Sequence, residues 1–236
     1  MITSAPAPAP LPGGGSGPPA FSGDFETHIT VRTGRDGLSA LARHASARGM
    51  KFAHIVLARG RTPSQPMVTL NGSGPLADVA AGARAAAAGL RAAGFDVVRV
   101  KIEAAPWTDG VPADDARAAE LGPRYYFEHH VKLLLDAGSD TAALARLSTG
   151  HGAHLSWNAR RVREDGRAER FVTQRCGPVG LGTAGRRLDA LVAALRSAGH
   201  EPVSVEREFV VFDSDASLDE GWIGEEAGEE EGGAAA

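Results

Sequence analysis

With 236 residues, of which 43% are hydrophobic and 23% charged, the chain can build two small cores and is not a disordered polypeptide. A net charge of −4 gives no global attraction for nucleic acid, and no segment approaches the roughly 18 apolar residues of a membrane span, so a cytoplasmic protein with neither partner is expected. A single cysteine, Cys176, excludes an intrachain disulfide and a multi-cysteine zinc site.

Residues 1–23 are mostly Ala, Pro, Gly and Ser, without the basic-then-apolar pattern of a secretory signal, and read as a mobile tail. The first strand is Phe25-Glu26-Thr27-His28-Ile29-Thr30-Val31. Leu38, Leu41 and Ala45 follow at helical spacing before Gly49, then a second strand runs from Phe52 to Arg59 and a third over Met67-Val68-Thr69. An Ala-rich helix closes at Leu90-Arg91-Ala92-Ala93-Gly94, and Val97-Val98-Arg99-Val100 reads as a fourth strand. Residues 106–123, with Pro106, Pro112 and Pro123, read as a linker.

The same order then recurs. Phe127-Glu128-His129-His130-Val131-Lys132-Leu133 matches the first strand, and His154-Leu155-Ser156-Trp157-Asn158-Ala159-Arg160 matches the second, with His154 set against His54. Phe171-Val172-Thr173 follows the Asp-Gly turn of residues 163–167, then Leu195-Arg196-Ser197-Ala198-Gly199 ends a helix before Pro202-Val203-Ser204-Val205. The chain after residue 213 turns acidic and reads as a tail, in which Trp222 is expected to pack over an edge of the core. This strand, helix, strand, strand, helix, strand order, present at 24–105 and again at 124–213, resembles the ferredoxin-like fold. The resemblance implies an α+β protein of two tandem βαββαβ units with antiparallel sheets, helices on one face, related by a pseudo-two-fold operation. It confers no activity.

Alternation in the strands directs Phe25, Thr27, Ile29 and Val31 toward the helices and Glu26, His28 and Thr30 to the open face. Lys101 and Glu103 join them from the fourth strand, and Glu128, His130, Lys132, Glu206 and Glu208 form the counterpart, with a bulge or a strand end expected near Arg207. An antiparallel sheet normally has one solvated face, so no single one of these residues requires a function. Yet Glu-x-His recurs at the same place in both copies, and of 25 basic residues only three are Lys, two of them here. If the open faces turn toward each other they enclose a cleft, with His28 and His130 as proton-transfer or coordinating groups and Lys101, Lys132, Arg59 and Arg160 supplying charge for a small anionic ligand.

Three chemical readings and one non-catalytic reading suit this sequence. Two His with two Glu can satisfy a four-coordinate metal, although the lysines would repel it, and the sequence specifies no cofactor. His28-Ile29-Thr30 and His154-Leu155-Ser156 resemble the H-x-T/S motif of 2H phosphoesterases, which implies paired His as acid and base with Thr30 and Ser156 holding phosphate. Gly180-Leu181-Gly182-Thr183-Ala184-Gly185 spells a dinucleotide motif, but between the third strand and second helix of a split βαβ unit, where it could at most offer backbone N–H groups to an anion; Asn71-Gly72-Ser73-Gly74 is its counterpart. A non-catalytic interaction module is the remaining reading. His44 and His200 read as surface residues, His129 as a satisfied core histidine and Cys176 as an inert thiol.

Overall fold

Phe25, Ile29 and Val31 require apolar partners while Glu26, His28 and Thr30 require polar ones, and the first strand obtains both by separating helices from a polar interior. The computed structural model describes residues 20–160 and 164–223. In it β1 (Ser22–Arg32), α1 (Arg35–Ser46), β2 (Lys51–Leu57), β3 (Ser64–Pro75), α2 (Leu76–Ala92) and β4 (Asp96–Ala104) form one βαββαβ unit. After α3 (Asp115–Leu121), the second unit comprises β5 (Tyr126–Leu135), α4 (Thr141–Thr149), β6 (Ala153–Asn158), β7 (Ala168–Cys176), α5 (Leu181–Ser197) and β8 (Pro202–Asp213). The tails over residues 1–19 and 224–236, and Arg163 of the expected turn, lie outside the described residues.

Both ferredoxin-like sheets are antiparallel, ordered β4-β1-β3-β2 and β8-β5-β7-β6. They do not stand apart. β2 pairs with β6 over Ile55–Leu57 and β4 pairs with β8 over Lys101–Ala104, so the two sheets close edge to edge into one eight-stranded barrel. Closure removes most free edges, which otherwise present unpaired backbone groups. It also turns the two open faces inward.

The apolar cores therefore lie outside the barrel wall, between strands and helices. On α2, Leu76, Ala80, Ala83, Ala87 and Leu90 are buried, and the small alanines let the helix lie close to Ile29, Val68 and Val100. On α5, Leu188, Leu191 and Leu195 do the same against Val131 and Val172, while Ala184 joins the first core.

Strand register corrects the sequence alignment in one place. Thr69 of β3 faces His28 on one side and Lys51 on the other, while Thr173 of β7 faces His130 and His154. The counterpart of His154 is thus Lys51. His54 faces the other side of the wall, bonded to Ser64 Oγ at 2.9 Å. Near Arg207 it is the pairing of β8 with β4 that ends, at Phe209, whereas the register shifts of β8 lie to either side, against Ile102/Glu103 and Lys132/Leu133.

Residues 214–223 do not behave as a tail. Asp219 and Trp222 are buried, Gln65 Nε2 donates to the Leu218 carbonyl at 3.3 Å, and Trp222 Nε1 donates to the Leu155 carbonyl at 3.0 Å. Gly60, at φ +113°, is required here, because a Cβ would press on the Trp222 backbone at 3.1 Å. The segment closes one end of the barrel. No described helix is long and apolar enough to cross a membrane.

Candidate functional site

Two equivalent Thr-His-Glu chains face the interior. On β1 the imidazole of His28 meets Thr69 Oγ1 through Nδ1 at 2.9 Å and Glu103 Oε2 through Nε2 at 2.8 Å. On β5, His130 meets Thr173 Oγ1 through Nδ1 at 3.0 Å and Glu208 Oε2 through Nε2 at 3.2 Å. Both arrangements follow from the ladders: His28 lies opposite Thr69, and His130 opposite Thr173. Glu26 and Glu128, two residues before each histidine, complete the duplicated set at 3.8 and 3.5 Å.

Electrostatics set the charge of these groups. Burial disfavours each imidazolium, but Glu103 outweighs it at His28, raising that pKa, and Glu208 with Glu128 and Glu103 raises His130 to about 9. His130 therefore holds its second proton at neutral pH, and His28 is shifted in the same direction. Glu103 is 1% exposed, and Lys101 Nζ stands 2.7 Å from Oε1 while His28 Nε2 stands 2.8 Å from Oε2. Burial would raise its pKa, yet those two cations hold it well below the usual carboxylate range. Neither of its oxygens is aligned with a donor hydrogen. Glu208 shifts the other way, pushed up by burial and by repulsion from Glu103.

Toward the closed end the charges neutralise one another. Arg99 donates to Asp213 Oδ1 at 2.8 Å and to Asp219 at 2.9 and 3.0 Å, and Arg175 donates to Asp219 at 2.8 Å and Glu128 at 2.9 Å. Lys101 Nζ reaches Glu128 Oε1 at 2.6 Å. Three cations and three carboxylates are matched in this network, which joins both units.

The other pole is not matched. Glu26, Glu103, Glu206 and Glu208 surround the two histidines in an internal cavity of about 190 Å³. All four carboxylates also line an outer cleft of about 900 Å³ beside Trp107 and Val205. That cleft exists because β8 pairs with β4 only from Phe209 onward, leaving the two strands apart over Pro202–Glu208. The four shared carboxylates place it next to the cavity that holds the histidines.

Of the residues singled out from sequence, Glu26, His28, Thr30, Lys101, Glu103, Glu128, His130 and Ser156 line this cavity. Lys132 does not; it pairs with Glu169 at 3.7 Å and lies 5.7 Å over the Phe171 ring. Arg160 stacks 5.3 Å over Phe52, outside the wall, because the register places Phe52 on the helix side. Arg59 is turned to the closing segment, donating to the Trp222 carbonyl at 3.1 Å and contacting His154 Nδ1 at 3.0 Å. Burial, with Arg59 and Arg175 beside it, lowers His154 to about 4, so it is neutral. His129 is a buried core histidine held by Gln174 at 3.1 Å. His44 is not a plain surface residue, since its ring meets Phe95 edge-on at 5.1 Å.

Sequence reasoning missed Thr69 and Thr173 as partners of the histidines, and Arg175 and Asp219 in the neutral network. The signal was present for the threonines, since both end matched third strands.

The glycine-rich motif has a different occupant. Gly180 N donates to Asp115 Oδ1 at 2.8 Å and Thr183 Oγ1 to Asp115 Oδ2 at 2.9 Å, so a carboxylate from α3 already sits at the N-terminus of α5. A Cβ at Gly180 would collide with the Asp114 backbone. Asn71-Gly72-Ser73-Gly74 is not a loop but part of β3, paired with β1.

No protein-family model matches the chain, and no curated protein matches it. Among solved structures it is similar to the acetolactate synthase small subunit from Thermotoga maritima, at 11% identity over 80% of this chain and 95% of that one, TM-score 0.30. The regulatory subunit of aspartate kinase from Thermus thermophilus gives 12% identity over 74% and 94%, TM-score 0.30. A chlorite dismutase variant from Candidatus Nitrospira defluvii gives 13% over 84% and 93%, TM-score 0.25. Likeness at this level carries no functional argument, and the site must be judged on its own chemistry.

Proposed function

We propose that this protein binds a small, positively charged ligand at the His/Glu pole of the barrel interior, with His28 and His130 as its coordinating or proton-transfer groups. The observation that carries this reading is the convergence of both Glu-x-His pairs on one cavity whose carboxylates exceed its uncommitted cations. Glu26, Glu103, Glu206 and Glu208 face this pole against the two histidines, with Lys101 shared between Glu103 and Glu128, and a bound cation offsets the excess negative charge.

An anionic ligand, expected from the lysines and arginines, finds less support. Arg99 and Arg175 are spent on Asp213, Asp219 and Glu128, and Lys101 on Glu103 and Glu128. Phosphoester hydrolysis by the H-x-T/S pairs would need His28 and His154 around one phosphate, whereas His154 is engaged with Arg59 and Trp222. The interaction-module reading is favoured by sheet faces that pack dry, whereas here they enclose a cavity that holds the His/Glu set.

A thermal shift panel of divalent metals, polyamines, phosphate and nucleotides tests the reading, since a ligand at a hundred times its Kd stabilises the fold by about 2.7 kcal/mol. Cations should raise the melting temperature, and His28→Gln and His130→Gln should abolish the shift while His200→Gln retains it. A shift confined to anions, or one insensitive to both cavity histidines, would contradict it.

A further inference from the structure

Two donor sets within the His/Glu pole share one carboxylate. Glu26, His28 and Glu208 each offer an atom within 4.8 Å of the others, and so do Glu103, His130 and Glu208. Donors bound to a tetrahedral ion at about 2.1 Å stand roughly 3.4 Å apart, so modest side-chain rotation closes either set. We propose that the pole is a two-metal centre in which Glu208 bridges, one ion being held by His28 and Glu26 and the other by His130 and Glu103. This deepens the cation-binding reading and rests on it.

Three features support the assignment beyond the clustering of acids. Glu103 is 1% exposed and lines the cavity; its oxygens are ion-paired with Lys101 and His28 at 2.7 and 2.8 Å without an aligned hydrogen bond, so it can exchange His28 for an ion without leaving its place in the wall. Both histidines place Nδ1 on a threonine hydroxyl, at 2.9 and 3.0 Å. With that hydroxyl accepting from Nδ1–H, Nε2 is the nitrogen aimed at the carboxylates and becomes the ligand atom once a metal displaces its proton, the outer-shell pattern of metal-binding imidazoles. The lysine that argued against a metal is accommodated, because Lys101 keeps Glu128 at 2.6 Å when Glu103 turns to an ion.

Imidazole and carboxylate donors suit zinc, manganese or ferrous iron better than calcium or magnesium. Three protein donors per ion leave a coordination position open on each, the pattern of reactive centres rather than structural ones. The outer cleft, which Glu26, Glu103 and Glu208 also line, lies next to those positions.

The test is calorimetric titration of the chelator-treated, full-length chain with MnCl2 alone, followed by electron paramagnetic resonance. Two equivalents per chain and a spin-coupled manganese signal are expected. His28→Gln and His130→Gln should each lose one equivalent, and Glu208→Gln should weaken both by at least about tenfold. Should Glu208→Gln fail to fold, the two histidine variants decide the matter. One equivalent in the parent chain, uncoupled manganese, or full binding in the histidine variants would overturn the proposal. If polyamines bind in a His28- and His130-dependent manner while MnCl2 does not, the two-metal centre falls and the cation cavity stands; if neither binds, both fall.

Discussion

Asp219 is buried as an anion because Arg99 and Arg175 hold its two oxygens at 2.8 to 3.0 Å. Burial raises its pKa, but the two arginines prevail and hold it at about 2, below its ordinary 3.8. A depressed folded value means that the stabilisation is complete above the unfolded value near 4 and is lost as pH falls toward 2; it amounts to roughly 2 kcal/mol. His154, depressed to about 4 from 6.5, follows the same sign in a higher window, losing its contribution as pH falls from 6.5 through 4. Urea unfolding across pH should therefore show two separate declines, with the upper one removed by His154→Gln. Replacing Asp219 by Asn at neutral pH leaves both guanidinium groups short of charge and should cost about 3–5 kcal/mol by the same assay.

At the scale of elements, the closing segment and the start of α5 each depend on one residue. Trp222 is 5% exposed with its indole N–H bonded, so Trp222→Ala should cost about 3–5 kcal/mol and increase proteolysis after Asp213. Gly180→Ala drives a methyl into the Asp114 backbone and should lower the melting temperature more than the same change at Gly82 of α2, where a Cβ meets nothing. Much of this level was legible in the sequence, because period-two alternation in Phe25–Val31 and glycine-ended helices are local signals. The Glu26/His28 and Glu128/His130 repeat pointed to the interior for the same reason. What was not legible depends on partners. The β2–β6 and β4–β8 seams are made by backbone groups, which leave no side-chain pattern, so barrel closure could not be read. Strand β2 carries apolar residues on both sides, which allowed His54 to be aligned with His154 although the register joins Lys51 to it. Arg160 was misplaced because it lies beyond the end of β6 at Asn158, where strand alternation no longer sets the side.

The molecule as a whole is one cooperative object despite its duplication. Both seams, the Lys101 to Glu128 contact and the Arg99 to Asp213 and Asp219 pairs join the first unit to the second. Separating the sheets would expose matched buried charges as well as strand edges. Urea unfolding should accordingly be a single transition, with far-ultraviolet dichroism and tryptophan fluorescence coincident; two resolved transitions would show that the units are energetically independent. The central claim is that the duplicated histidines serve one cation site inside the barrel. Histidine-ring NMR during sub-stoichiometric addition of MnCl2 tests it most directly, because paramagnetic broadening reports which imidazoles lie beside the ion. His28 and His130 should broaden together and before His44, His151 and His200; broadening of only one of the pair, or of the outer histidines first, would contradict the account.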